Sequence, residues 1–282
     1  MWLDPPTSTL IIYMANSVAT TPTPPSSDDR LLPTKAGFNP TVADVVEVRH
    51  ILTELGVANH VVPMELALMI LSFASYCPRC TGIKQKEVAY HANDFWREGP
   101  HADVAGLYLT VTTLSVPNTV AKARSITFQM NAADQGWADA GGHGTYNNSH
   151  TWYEASILRP QSDAFTAAAL LVDEMGTFPT PGNAWEHFRS HGWDFVEGNS
   201  NETVVWKVHN NITASSEYRH YRVDWVAGVP TNVEDPAAMG DGQGFLELLA
   251  PDDVVALWAR AEQQAWVNRI QEATIQIEYE VL

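Results

Sequence analysis

After Gly106, several segments of the chain alternate between apolar and polar residues. In the segments 125–130 (SITFQM) and 274–281 (TIQIEYEV), every second residue is apolar. A period of two is typical of a β-strand with one buried face. Further segments that alternate or are rich in β-branched residues predict additional strands at 107–116, 203–208, 218–226 and 253–260.

The connections between these segments are rich in turn residues and mostly too short for a helix. A parallel sheet would need a helix between most pairs of strands, so about seven or eight strands of this kind indicate antiparallel pairing. We therefore predict a mainly β fold over residues 101–282, an antiparallel β-sandwich of the jelly-roll or galactose-binding-like type that binds a ligand. Helical insertions are predicted at residues 165–175 and 184–191.

A small helical segment is predicted to precede the sandwich, over residues 34–100. Apolar residues recur at helical spacing after Thr41, Thr41 and Asp44 resemble a capping box, and Gly56 suits the end of this helix. The following helix, over residues 63–76, is apolar on nearly all sides. We expect it to be buried between other elements.

Residues 1–33 are predicted to form a disordered tail, because a segment rich in Ser, Thr and Pro buries too little apolar surface to offset its ordering entropy. The apolar run 10–14 is short and lacks a basic region before it, which argues against a signal peptide. No apolar run approaches the ~20 residues of a membrane span. Together with the presence of only two cysteines, this predicts a soluble, cytoplasmic protein without membrane insertion.

Composition restricts the choice of partner. The net charge is -17 and Lys plus Arg total only 16, whereas nucleic-acid binding relies on clustered basic residues. We therefore expect no nucleic-acid partner. Aromatic residues are abundant, with ten tryptophans, and aromatic walls favour small hydrophobic substrates.

Several catalytic signatures are missing from the sequence. It has no Gly-rich nucleotide loop, no G-x-S-x-G elbow and no H-E-x-x-H helix. His187 and His191 have helical ligand spacing, but no third ligand is identifiable. Cys77 and Cys80 lack the second pair that a zinc site would require. We predict neither a metal nor a cofactor.

The segment 134–154 (DQGWADAGGHGTYNNSHTWYE) is the chemically distinctive part of the chain. It combines glycines that permit unusual backbone turns with aromatic and imidazole side chains. Such a mixture suits a ligand pocket. The alternative is that Asp134, Gln135 and Thr145 satisfy the backbone of a long connection while the aromatic side chains enter the core. For the adjacent Trp152 and Tyr153, at least one side chain must face inward.

A second cluster occurs in the segment 258–268 (WARAEQQAWVN). Trp258 and Arg260 lie on one face of a predicted strand, and Trp266 and Asn268 follow a polar turn. An Arg side chain over a Trp ring gives a cation–π contact of about 0.5–2 kcal/mol, and this contact could be purely structural.

The strings DQGW, HGTY, TWYE, WARA and WVN together resemble a group of fungal proteins whose pattern reads DQGW, HGTY, SWTWFE, WARA and GWVN. The resemblance spans roughly residue 65 to the C-terminus. Members of the group include the hetero-Diels–Alderases of tropolone-sesquiterpenoid pathways, which join a tropolone-derived o-quinone methide to humulene or a hydroxylated relative. The chain departs from the pattern at His150, where the group has Trp, and at Ala265, where it has Gly.

The resemblance implies a cofactor-independent pericyclase of fungal secondary metabolism. Such an enzyme holds two partners in reacting geometry and polarises the carbonyl of the quinone methide. The donors implied by the resemblance are His143, Tyr146 and Arg260. The implied substrate-binding residues are Gln135, Trp137, His150, Trp152, Trp258, Trp266 and Asn268.

A non-enzymatic alternative rests on the string Pro63, Glu65, Leu66, Ile70 and Leu71, which resembles the first helix of an F-box, a motif that docks adaptor proteins onto ubiquitin ligases. The β-sandwich would then recognise a sugar or peptide. This reading requires the face around residues 63–70 to be exposed, whereas the enzyme requires a deep, mostly apolar pocket beside residues 134–146. The abundance of aromatic residues and the apolar character of the helix favour the enzyme.

Overall fold

The structure, a computed structural model, describes residues 38–55, 61–95, 102–116, 120–139, 141–161, 176–198, 204–233 and 235–282. The predicted tail at 1–33 and the predicted helical insertion at 165–175 lie outside the described residues. No helix of the described part is long and apolar enough to cross a membrane.

Eleven strands, together with short helical elements, make up the described fold. The strands are β1 (Arg79–Lys84), β2 (Val88–His91), β3 (Asp103–Thr112), β4 (Ala121–Ala133), β5 (Thr151–Pro160), β6 (Thr177–Phe178), β7 (Trp193–Phe195), β8 (Trp206–Asn210), β9 (Arg219–Val226), β10 (Val254–Glu262) and β11 (Val267–Val281). The helices are α1 (Val42–His50), continued by a π-helical turn (Ile51–Leu55), α2 (Met64–Phe73), α3 (Trp185–Ser190) and α4 (Phe245–Leu248), with 3-10 turns at Ala92–Phe95 and Pro181–Ala184.

The strands form two sheets. Within each sheet, every described pair of neighbouring strands is antiparallel. The first sheet has the order β1-β11-β4-β9, with β2 also paired to β11. The second sheet has the order β6-β3-β10-β5-β7, with β8 also paired to β5. The predicted antiparallel β-sandwich, preceded by a short helical segment, is confirmed.

The alternating residues of both sheets form the main core. Ile126 and Phe128 of β4 and Ile275 of β11 are fully buried, and they pack with Ile157 of β5 and Leu257 of β10 from the opposite sheet. A second core lies on the other face of the second sheet, where Phe188 of α3 and Phe195 of β7 pack around Trp258. The second sheet is therefore apolar on both faces over part of its area.

The predicted helical segment 34–100 also contains β1 and β2, which pair with β11. The sandwich therefore begins at Arg79 rather than at residue 101. The capping box at the start of α1 forms as predicted, because the Thr41 and Asp44 side chains each bond to the backbone N–H of the other residue.

The prediction that the second helix is buried on all sides is wrong. In α2, only Ala67 and Leu71 are buried, and Leu71 packs against Val42, Val45 and Val281. Among the described residues, α2 packs on the body through this narrow face, and its opposite side is exposed. Its exposed apolar residues are Met64, Leu66, Met69, Ile70 and Phe73.

The Asn268 amide, fully buried in β11, links the two sheets at one end of the sandwich. Its Nδ2 donates to the backbone carbonyls of Trp152 on β5 (3.0 Å) and Arg260 on β10 (2.9 Å). Its Oδ1 accepts from the Tyr153 hydroxyl (2.6 Å) and from Nδ2 of Asn211 (3.0 Å). All the hydrogen-bonding capacity of this amide is therefore used within the protein.

Replacing Asn268 by Ala should lower the free energy of unfolding by more than about 3 kcal/mol, because several buried donors and acceptors lose their partner together. Chemical denaturation measures this loss. The control Tyr153→Phe removes one hydrogen bond and should lower the free energy of unfolding by about 1 kcal/mol. Equal effects of the two substitutions would contradict the role of Asn268 as a hub.

Candidate functional site

The Asp134 carboxylate holds the start of the distinctive segment in place. Its Oδ2 accepts from the backbone N–H of Ala214 (2.9 Å), and its Oδ1 accepts from that of Gly136 (3.3 Å). Arg269 donates to the Asp134 backbone carbonyl (2.9 Å). Burial raises the pKa of Asp134 to about 6. This residue therefore ties the 134–150 loop to the connection that follows β8.

Gln135 and Thr145 also bond to the backbone of this region. Gln135 Nε2 donates to the Trp137 carbonyl (2.7 Å), and its Oε1 accepts from the Val267 N–H (3.2 Å). The Thr145 hydroxyl donates to the Gly142 carbonyl (2.7 Å). Each end of the Gln135 amide makes one bond to the backbone, so the residue, which we expected to bind substrate, has a structural role in this loop.

An aromatic cluster forms where the two distinctive segments meet. Trp137 lies 6.3 Å from Trp266 between ring centroids, and the His150 ring packs edge-on against Trp266 at 4.8 Å. Trp266 is buried, whereas Trp137 is 46% exposed. His150 Nδ1 lies 3.9 Å from Oε2 of Glu262. Trp137, His150 and Trp266, three of the residues predicted to bind substrate, therefore form one cluster.

His143 does not join this cluster in the manner predicted for a catalytic donor. Its side chain is exposed, and Nε2 lies 2.7 Å from the backbone carbonyl of Ala138. Because a carbonyl only accepts hydrogen bonds, this nitrogen carries the proton and is already engaged. The His143 side chain therefore forms a hydrogen bond within the loop that contains it.

The guanidinium of Arg260 is enclosed in an ion-pair network. Nη1 donates to Glu154 (2.6 Å), Nη2 donates to Asp103 (2.9 Å), and Nε donates to the Val104 carbonyl (3.2 Å). The group also lies 4.9 Å from the centroid of the Trp152 ring. This geometry engages four of the five guanidinium N–H groups within the protein, so Arg260, which we expected to be a catalytic donor, holds an internal ion-pair network.

Trp152, Trp258 and Asn268 also have internal roles. The cation–π partner of Arg260 is Trp152, whose Nε1 donates to Glu154 (2.7 Å). Trp258 is fully buried in the second core, where its Nε1 donates to Ser156 (2.8 Å). Asn268 is the buried hub between the sheets. Direct ligand contact by Trp258 and Asn268 is therefore excluded in this conformation.

Tyr146, in the distinctive segment, lines a cavity. This cavity has a volume of about 450 Å³, and the rest of its lining is mostly polar. This cavity at Tyr146 is open and mostly polar, unlike the deep, mostly apolar pocket that we expected beside residues 134–146. The other lining residues are His209, Arg222, Asp224, Thr231, Asn232, Asp235, Ala238 and Met239.

The sequence reasoning missed His209, on β8, as a site residue. The ring is nearly buried, and its Nδ1 lies 2.6 Å from the Asn210 carbonyl. Burial lowers the pKa of His209 to about 4, so the ring is neutral at pH 7. In the sequence, His209 directly follows the predicted strand 203–208. That position places it at the end of a strand but does not indicate a role in binding or catalysis.

The remaining ligand candidates stay apart from this region. His187 and His191 lie 4.5 Å apart between ring centroids, but His191 Nδ1 bonds to the His187 carbonyl. Cys77 and Cys80 are free thiols. Over the described residues, no three His, Cys, Asp or Glu side chains are arranged to hold a metal ion.

Comparison with known proteins adds no family assignment. No protein-family model matches the sequence, and no curated protein matches it significantly.

Replacing Arg260 by Met should lower the free energy of unfolding by about 3–5 kcal/mol, because Asp103 and Glu154 would remain partly buried without a counter-ion. Arg222→Met is the matched control, since it breaks the well-exposed pair with Asp224 and should change stability by less than about 1 kcal/mol. Thermal or chemical denaturation compares the two variants. A loss for Arg260→Met as small as the control would refute the buried network.

His209 should remain neutral down to about pH 5 in an NMR titration of its ring. Since its folded pKa of about 4 lies below the ordinary histidine pKa of 6.5, the unfolded chain takes up this proton first on acidification. The contribution of His209 to stability is therefore complete above about pH 6.5 and is lost as the pH falls towards 4. A titration midpoint near 6.5 in the folded protein would show that the ring is not buried as described.

Proposed function

We propose that the chain is a non-enzymatic recognition module, in which α2 docks onto a ligase-adaptor protein and the β-sandwich recognises a sugar or peptide. The carrying observation is the exposed apolar side of α2. Leu66, Met69, Ile70 and Phe73 are between 46% and 83% exposed. They recur at positions i, i+3, i+4 and i+7, the spacing with which a helix enters an apolar groove of a partner.

In this proposal the buried face of α2 packs on the body of the protein and the exposed face binds the partner. Ala67 and Leu71 anchor the helix to the body, so the outward residues are not needed for folding. A contiguous exposed apolar patch on a folded protein marks an interaction site. Met and Phe side chains at such a position adapt to the wall of a groove and bury a large area.

The negative charge of the chain indicates which charge the binding surface of the partner should carry. Within α2, Glu65 is the single charged residue and is exposed, and the whole chain carries a net charge of -17. A groove with basic residues on its rim would attract this surface and accelerate association. The partner that fits is a protein with an apolar, helix-accepting groove and a basic rim, as expected of an adaptor for F-box helices.

The internal engagement of Arg260, Asn268 and Gln135 weighs against the enzymatic alternative. A catalytic donor such as Arg260 must reach the reacting atoms, and a substrate-binding side chain such as Asn268 or Gln135 must reach the substrate. All three side chains bond to groups within the protein. A polar cavity at Tyr146 also suits the binding of a hydroxyl-rich or peptide ligand better than the binding of a hydrocarbon macrocycle.

The test is the affinity of the full-length protein for a purified ligase adaptor of the type that binds F-box helices, measured by calorimetry. Met69→Glu and Ile70→Glu should each weaken binding about thirtyfold or more, because a charge would be placed in an apolar groove. Ile83→Glu is the control, since Ile83 is also exposed but lies on β1. Absence of binding by the unmodified chain, or an equal loss in the control, would reject the docking role.

The second candidate is the hetero-Diels–Alderase, and the observation that favours it is the cluster of Trp137, Trp266 and His150. The exposed Trp137 ring offers an apolar face. His150 packs on Trp266 beside it and could polarise a carbonyl. In this reading the cluster holds humulene against a tropolone-derived o-quinone methide without a cofactor.

Incubation of the protein with a tropolone precursor and humulene tests this second candidate. The expected result is one stereoisomer of the adduct, formed more slowly by Trp137→Ala because the apolar wall is removed. Phe38→Ala, at another exposed aromatic residue, should leave the rate unchanged. A product distribution equal to that of a protein-free control would eliminate the enzyme.

A further inference from the structure

The cavity that contains Tyr146 lies on the side of the sandwich where both sheets end. The last strand of the first sheet is β9, and β8 pairs with β5 beside the end of the second sheet. The connection between β9 and α4 supplies Asn232 and Asp235, and the glycine-rich loop supplies Tyr146. Four separate parts of the chain therefore meet around an open space of about 450 Å³, a volume typical of small-ligand sites.

His209 gives this cavity an unused hydrogen-bond acceptor. Its ring is 7% exposed and lies between Tyr146 (5.3 Å) and Tyr221 (4.6 Å), measured between centroids. Nδ1 must carry the ring proton because it faces the Asn210 carbonyl. Nε2 is then a lone-pair acceptor, and no described residue bonds to it. A ligand that donates a hydrogen bond to this nitrogen would use its lone pair.

The walls of the cavity provide both hydrogen-bond donors and acceptors. The two charged side chains on the β9 wall cancel. Arg222 and Asp224 neutralise each other through a pair of hydrogen bonds of 2.7 and 2.9 Å. Asp235 uses Oδ1 to accept from the Ala237 N–H and keeps its other oxygen available. The Tyr146 ring adds an apolar surface with a hydroxyl at its edge.

We propose that this cavity binds a neutral, hydroxyl-rich ligand of the size of one or two sugar rings. A sugar hydroxyl donates to Nε2 of His209, and neighbouring hydroxyls donate to Asp235 and accept from Asn232. The apolar face of the sugar ring lies on Tyr146. An anionic ligand would face the carboxylate of Asp235, which disfavours it. This inference rests on the proposed function to the extent that it names the ligand of the β-sandwich.

The experiment is a titration of the full-length protein, labelled with ¹⁵N in its histidines, with the methyl glycosides of glucose, galactose, mannose and N-acetylglucosamine. At least one glycoside should shift the Nε2 resonance of His209. Tyr146→Ala should weaken that binding about tenfold or more, and the exposed Asn232→Ala should weaken it severalfold. Phe38→Ala is the control, because it removes an exposed aromatic residue that does not line the cavity, and it should have no effect. Trp137→Ala tests the competing ligand position on the aromatic cluster.

Three results would overturn the assignment. The first is that no glycoside shifts the resonance in the millimolar range. The second is that Trp137→Ala weakens binding as much as Tyr146→Ala, which would place the ligand on the aromatic cluster. The third is that tetramethylammonium binds the cavity and the glycosides do not, which would make it a cation site. The docking of α2 is measured separately on the adaptor, so each failure can be told from the other.

Discussion

The Asn268 amide is the interaction on which the rest of the structure depends. It is buried where β5, β10 and β11 converge, and its hydrogen bonds join β11 of the first sheet to β5 and β10 of the second and to Asn211. Asn211 extends the same network to the Thr151 hydroxyl at the start of β5 (3.0 Å). Because a buried polar group must be satisfied, this network fixes how the loops leave the end of the sandwich, and thus where Tyr146 and Trp137 lie.

Within the segment 134–154, some side chains stabilise the fold and others are accessible to a ligand. Most of its polar groups hold the fold together: Asp134 and Gln135 bind backbone groups, and Glu154 pairs with Arg260. The side chains left for a ligand are the aromatic ones at the two ends of the loop, Trp137 on the rim and Tyr146 in the cavity. A motif can therefore be chemically distinctive chiefly because a folding network requires those residues.

The sequence was informative where the physics is local and less so where it is not. Alternation in 125–130 and 274–281 predicted strands correctly because a sandwich buries one face of each strand. The exposure of Met69 could not be predicted, since helical periodicity shows that a face is apolar but not that a neighbour covers it. The partners of Arg260 were hidden because Asp103 is 157 residues away in sequence. For His209, only tertiary packing creates the buried, neutral ring.

The central claim is that α2 presents an apolar surface to a partner, and oxidative footprinting of methionines tests it most directly. In the isolated monomer, Met64 and Met69, which are 47% and 50% exposed, should oxidise rapidly, whereas the fully buried Met130 should not. Saturating ligase adaptor should then protect Met69 while the thiols and the rest of the fold are unchanged. If Met69 is as protected as Met130 in the monomer without a partner, the outward face of α2 is covered and the account is contradicted.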